Sequence, residues 1–250
     1  FMYSYYRTTG TVHWTNLSSG EQSHYTDSRF QFFQYCSWSA LPDDLVYFTG
    51  GLPLTNVVVG FDRRASTLTS RPPMISARYW HNSIYTEGYL YAIGGYDGST
   101  TLALCERFSV AEDKWEAIGP LPIAVYNHSL IVHESTQCLY VVGGNGTPSD
   151  AIQELNLLTL IWKQLNFTLP SKTPNTSFIP VFKLSRNSEE FFFVHDCKLY
   201  SWSPVAAPRQ IKSLQANICS YWGPSSYSQG TLYCSYYEGA VQQLTIGSLV

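Results

Sequence analysis

The most regular alternation of apolar and polar positions lies between Tyr89 and Trp115, in YLYAIGGYDGSTTLALCERFSVAEDKW. An apolar run closes on the paired glycines Gly94 and Gly95 and a Tyr-Asp-Gly-Ser turn follows. A second apolar segment ends at Phe108, and after an acidic turn Trp115 stands seven residues beyond it. The order recurs downstream in CLYVVGGNGTPSDAIQELNLLTLIWKQL, where Gly143 and Gly144 form the pair and Leu155 precedes Trp162 by seven residues. Upstream, DLVYFTGGLPLTNVVVGFD has Gly50 and Gly51 followed by Phe61, with the tryptophan place falling near Leu68. Glu106 and Glu154 lie within one residue of each other in this alignment. A period near fifty residues with four strand-sized segments predicts the blades of a β-propeller.

Further units are degenerate. EEFFFVHDCKLYSWS carries the apolar run with His195 and Asp196 at the glycine place, and TLYCSYYEGAVQQLTI matches FMYSYYRTTGTVHWTN, with Tyr236-Tyr237 and Tyr5-Tyr6 there. Taking Tyr5, Gly50, Gly94, Gly143, His195 and Tyr236 as markers gives spacings of 45, 44, 49, 52 and 41 residues, hence six units in one domain. Their approximate bounds are 1–29, 30–74, 75–122, 123–170, 171–214 and 215–250. In the third, strands are expected at His81 to Tyr85, Leu90 to Gly94, Ala103 to Val110 and Lys114 to Ile118, joined by Thr86-Glu87-Gly88, Asp97-Gly98 and Glu112-Asp113. Prolines 72, 73, 120, 122, 170 and 174 mark the junctions, where no ladder donor is needed. The first unit starts in its second strand and the last ends after its third, so both terminal blades are incomplete as written.

Composition agrees. Aromatic residues make up 16% of the chain and charged ones only 13%, a balance that suits packed β layers with half-buried tyrosines. A net charge of -3 without runs of Lys or Arg argues against a nucleic-acid partner. No apolar stretch approaches the length of a membrane helix, so membrane insertion is not expected. The opening FMYSYYRTTG does not begin with Met and lacks the features of a signal peptide, and is expected to belong to a fragment or a processed chain. Six cysteines form no C-x-x-C pair; an even count permits disulfides, with Cys219 and Cys234 on neighbouring strands of one hairpin. Sequons at Asn16, Asn127, Asn145, Asn166 and Asn175 raise a secreted alternative.

The ordered set YAIGG, ERF, KW resembles the kelch repeat, and LYAIGG and LYVVGG are close matches to it. The resemblance implies an all-β, six-bladed kelch-type propeller with four antiparallel strands per blade around a central channel. It also implies that His81 and His128, at one repeat position, belong to the repeat and not to a channel metal. Kelch propellers commonly act in protein interaction, as substrate adaptors of cullin ubiquitin ligases when joined to a BTB domain or as actin and cytoskeletal adaptors. That implies a cytoplasmic or cytoskeletal setting.

The glycine pairs should let backbones crowd where side chains would clash, while Phe108 and Trp115 fill space between blades. In an antiparallel four-stranded blade, the loop entering the first strand and the loop joining the second and third strands share one face. This mouth should carry Arg78, Tyr79, Trp80, Tyr96, Asp97, Tyr126, Asn127, Asn145, Tyr221 and Trp222, residue types suited to protein contact. Arg78, Asp97 and Asn145 are expected to be exposed. Arg63 and Arg64 belong to a solvated turn on the opposite face, and Glu106 and Glu154 to structural hydrogen bonds. No motif assigns a nucleophile and base, so no enzyme activity, cofactor or metal is expected. The partner expected is a protein or peptide, not a small molecule. The rival classes are a secreted, glycosylated adhesion propeller and a copper oxidase resembling galactose oxidase.

Overall fold

The computed structural model describes residues 1–6, 9–172, 179–185, 188–214, 225–228, 231–235 and 241–245. Six antiparallel sheets follow one another along the chain. The first is β1 (Met2–Tyr6), β2 (Thr11–Thr15) and β3 (Gln22–Thr26). The second is β4 (Ser37–Ala40), β5 (Leu45–Thr49), β6 (Val58–Asp62) and β7 (Thr67–Arg71). The third is β8 (Asn82–Thr86), β9 (Tyr89–Ile93), β10 (Cys105–Ser109) and β11 (Lys114–Ile118). The fourth is β12 (Ser129–His133), β13 (Cys138–Val142), β14 (Ala151–Asn156) and β15 (Ile161–Thr168). The fifth is β16 (Val181–Phe182), β17 (Phe191–His195), β18 (Lys198–Ser203) and β19 (Ala206–Ser213), and the last is β20 (Ser225–Ser228), β21 (Thr231–Ser235) and β22 (Val241–Thr245).

Among the described residues the sheets form the six blades of a β-propeller, the first and last with three strands each. The first strands β4, β8, β12, β16 and β20 adjoin in order around the channel, and β1 adjoins β21 where the ring closes. Each third-blade strand agrees with its expected place to within two residues. His81 and His128 fall one residue ahead of their strands β8 and β12, on the loop.

Second strands are buried along their length because both faces meet neighbouring blades, as in Leu90 to Ile93 and Cys138 to Val142. Outer strands alternate: β11 buries Trp115 and exposes its neighbours. Phe108 and Trp115 pack with Tyr47, Val58 and Met74 of the preceding blade. The Trp115 indole N–H donates to the Pro72 carbonyl at 2.9 Å, and Trp162 donates to the Gly119 carbonyl at 2.9 Å. The repeating tryptophan therefore ties each outer strand to the junction before its own blade. Leu155, fully buried, takes the place of Phe108, and Leu68 pairs with Phe61 in the position a tryptophan would hold.

Register corrects one alignment. Phe108 and Leu155 both pair with a leucine of the second strand, so Glu106 corresponds to Gln153 and Glu154 to Arg107. The latter two make the same cross-strand ion pair with the signs exchanged, Arg107 with Glu116 at 2.5 Å and Glu154 with Lys163 at 2.8 Å.

In the fifth blade the glycine place moves by one. His195 ends β17, and a two-residue turn, Asp196 (φ 47°) and Cys197 (φ 54°), takes the left-handed conformation that glycines adopt elsewhere. Tyr5 stays within β1 and packs edge-on against Phe48, whereas Tyr236 and Tyr237 lie outside the described residues.

Candidate functional site

The mouth is built by one local device repeated in successive blades. Tyr35, Trp80 and Asn127 each precede a first strand by two residues and take positive φ, 61°, 55° and 53°. Their backbones are linked from blade to blade: the Trp80 N–H donates to the Tyr35 carbonyl at 3.3 Å, and the Asn127 N–H to the Trp80 carbonyl at 2.9 Å. The preceding residue in each case forms a bridge to the residue just after the glycine pair: Gln34 with Leu52, Tyr79 with Tyr96, Tyr126 with Asn145.

These links gather aromatic rings from three blades. Trp80 stacks on Tyr126 at 5.3 Å with planes 22° apart, and lies 4.7 Å from Tyr79, 5.2 Å from Tyr35 and 6.0 Å from Tyr96. Tyr96 lies 5.6 Å from Tyr79 and 5.8 Å from Tyr126. Tyr79 is buried beneath the group, while Tyr35, Trp80, Tyr96 and Tyr126 keep half-exposed faces. Asp97 stands beside them, half-exposed. Its carboxylate accepts from the backbone N–H groups of Ser99 and Thr100 at 2.8 and 2.7 Å, which holds its pKa down at about 2.

Arg78 departs from expectation. It is 0% exposed, its guanidinium donating to the Gly94 and Leu104 carbonyls at 2.8 Å each and to the Glu106 carboxylate at 2.6 Å. Glu106 in turn accepts from the Ile75 and Ser76 N–H groups at 2.6 and 3.3 Å. Burial lowers the Arg78 pKa and the Glu106 charge opposes that shift. Arg78 is therefore a structural clamp between loop and strand, since a cation excluded from water needs this density of acceptors. Asn127 and Asn145 are also buried, at 5% and 7% exposure, because their backbones are consumed in the links just described. Tyr221 and Trp222 lie outside the described residues. The sequence reading missed Tyr35; the alignment of Tyr35-Cys36-Ser37 with Trp80-His81-Asn82 was the available signal.

Under the mouth, His81 and His128 are fully enclosed. His81 Nε2 meets Thr49 Oγ1 at 2.8 Å. The residue corresponding to Thr49 beside His128 is Ile93, the end of its second strand, and neither His128 ring nitrogen has a partner. Burial, then the Arg78 charge, pushes the His128 pKa down to about 3, and His81 is also held well below its ordinary value by burial first. Among the described residues no three His, Cys, Asp or Glu side chains converge as a metal site.

Beyond them the first strands line an open cavity of ≈ 190 Å³ into which Ser39 and Ser83, hydrogen-bonded to each other at 2.8 Å, both face. At the far end Arg63 and Arg64 sit in the third-to-fourth-strand turn, both paired with Asp44.

Ser171, His195 and Asp196 form a second grouping on the mouth face. Ser171 Oγ lies 2.7 Å from His195 Nε2 and 2.5 Å from Asp196 Oδ2. A hydrolytic relay needs the carboxylate on the far nitrogen of the imidazole. Here Asp196 lies 3.7 Å from the same Nε2, which does not meet that requirement.

The chain is similar to known proteins in sequence and in fold. The family model described as "Kelch motif" matches residues 77–122. Kelch-like protein 35 of Mus musculus is 34% identical over 143 residues, which cover 56% of this chain and 23% of that protein. Kelch repeat and BTB domain-containing protein 2 of Homo sapiens is 29% identical over 124 residues, covering 40% of this chain and 19% of that protein. The chain thus spans about a fifth to a quarter of the length of these relatives. A solved structure titled "Structure of YjhT" superimposes with a TM-score of 0.64 at 13% identity, covering 80% of this chain and 71% of the other, a likeness of fold.

Proposed function

We propose that this chain, a kelch-repeat β-propeller, is a non-catalytic interaction module whose mouth docks a partner protein or peptide. The observation that carries the reading is the cluster of Tyr35, Tyr79, Trp80, Tyr96 and Tyr126, assembled from three blades on one fixed backbone ring. Aromatic side chains with polar tips give large contact area at small entropic cost, and a preformed site loses little freedom on binding. Asp97 belongs to the site; Arg78, Asn127 and Asn145 support it from beneath. Residues 1–250 act together as one domain in this reading.

An adaptor role follows by analogy with relatives whose names pair kelch repeats with a BTB domain. Recruitment of a ubiquitin-ligase substrate or of a cytoskeletal partner, in a cytoplasmic setting, is the finer form of the proposal. To test it, Tyr96→Ala and Tyr126→Ala are combined and partner capture is compared with that of the parent chain. Capture should fall at least tenfold while the melting temperature still shows a cooperative fold. Undiminished capture moves the site off this mouth.

A secreted, glycan-bearing propeller is the second reading, favoured by the disulfide at Cys197. The Cys219–Cys234 pairing that the sequence permits involves Cys219, which lies outside the described residues, and Cys36, Cys105 and Cys138 are free thiols. Two of the sequons, Asn127 and Asn145, are buried and so closed to modification in the folded chain. Glycan mapping after secretion decides the matter: an unmodified Asn16 and Asn166 removes this reading.

A further inference from the structure

Building on the mouth as docking face, we infer that it receives an arginine side chain of the partner, its guanidinium stacked on the Trp80, Tyr96 and Tyr126 faces and paired with Asp97.

Charge points first to a cation. The mouth loops of blades two to four, residues 27–36, 50–57, 72–81, 94–104, 119–128 and 143–150, contain two arginines and three aspartates. Arg29 is bound to Asp27 through both carboxylate oxygens, at 2.9 and 2.5 Å. Arg78 is buried on Glu106. Among the described residues no cation pairs with Asp97 or Asp150, and the two histidines below are held neutral. At these loops, among the described residues, an acidic ligand would meet carboxylates and no available positive charge.

The acceptors also converge. Tyr79 ionisation is opposed first by burial and then by Tyr96, Asp97, Tyr35 and Tyr126, so these oxygens lie within electrostatic range of one another. A planar donor with five N–H groups matches such a set better than an ammonium, and it also stacks on aromatic faces.

The rest of the molecule already uses this contact. Arg63 lies 4.0 Å over the Phe1 ring, Arg107 4.1 Å over Tyr89 and Arg71 5.3 Å over Tyr47. Among the described residues no cation lies over Tyr79, Trp80, Tyr96 or Tyr126.

The test selects a randomised twelve-residue peptide library on the whole chain and resynthesises the enriched peptides with each arginine as citrulline, which keeps shape and removes charge. The inference expects arginine in the enriched peptides, a loss of roughly tenfold in affinity on the citrulline change, and a smaller citrulline penalty in Asp97→Asn. That variant keeps the turn acceptor and loses the charge. Enriched peptides that lack arginine, or a citrulline penalty unchanged by Asp97→Asn, overturn the arginine inference, and if Tyr96→Ala with Tyr126→Ala still abolishes binding the mouth stands. Binding indifferent to those two changes overturns both.

Discussion

At the scale of single residues, one repeat position is filled differently in each of three blades. Arg78 pairs with Glu106 in the third blade; the corresponding residues are Val125 and Gln153 in the fourth and Phe33 and Val59 in the second. Gln153 replaces the charged bridge with two neutral bonds to Ile123, 2.8 Å from its N–H and 3.1 Å to its carbonyl. The physical rule is that a buried charge persists only with its partner, so both change together. Arg78→Val alone should destabilise the fold by about 3–5 kcal/mol, because Glu106 is left buried and uncompensated. Adding Glu106→Gln should recover most of that loss, as read by urea denaturation; a double variant no better than the single one contradicts the equivalence with the fourth blade.

At the scale of the element, the glycine pair is the hinge between blade and loop. Gly94 has φ +57°, and a Cβ there would lie 2.4 Å from the Val125 carbonyl of the next blade's loop. The neighbouring Gly95 N–H donates to that same carbonyl at 2.8 Å, so the loop cannot retreat without losing the bond. Gly88 has φ +83° with nothing within 4 Å of a Cβ. Gly88→Ala should therefore cost only left-handed strain, about 1–2 kcal/mol, whereas Gly94→Ala should cost clearly more in the same denaturation assay. Equal losses would mean that strain alone, and not loop contact, explains the pair. The pair was legible in the sequence as a repeat; its contact with the following blade was not, because the residue it touches lies thirty positions on in a loop of low periodicity.

At the scale of the whole molecule, acid stability should reflect the enclosed histidines. A histidine whose folded pKa is depressed contributes stability in full above its unfolded value near 6.5, and loses it as pH falls toward the folded value, about 3 for His128. The Asp97 shift, from 3.8 to about 2, acts only below roughly pH 4. Between pH 6.5 and 4 the loss is thus histidine-driven, and the His128 share should be about 3 kcal/mol at pH 4. His128→Leu, which removes ring nitrogens that have no partner, should flatten the fall of melting temperature across that interval. A profile identical to the parent's would place the proton uptake elsewhere.

Apolar periodicity by itself determined the six-unit propeller, the strand places of the third blade and the structural role of Gly94, Gly95, Phe108 and Trp115, because these features repeat and each is enforced by local geometry. It also placed Tyr79, Tyr96, Asp97 and Tyr126 on one face. Only the tertiary structure decided that Arg78 lies buried, that Glu106 corresponds to Gln153, that Asn127 and Asn145 support the rim from inside, and that Tyr35 joins the cluster. The reason is that exposure of a loop residue depends on which blade leans against it. Strand spacing fixes the position of a side chain along its own blade, but not whether a neighbouring blade supplies the acceptors that let a charge leave water.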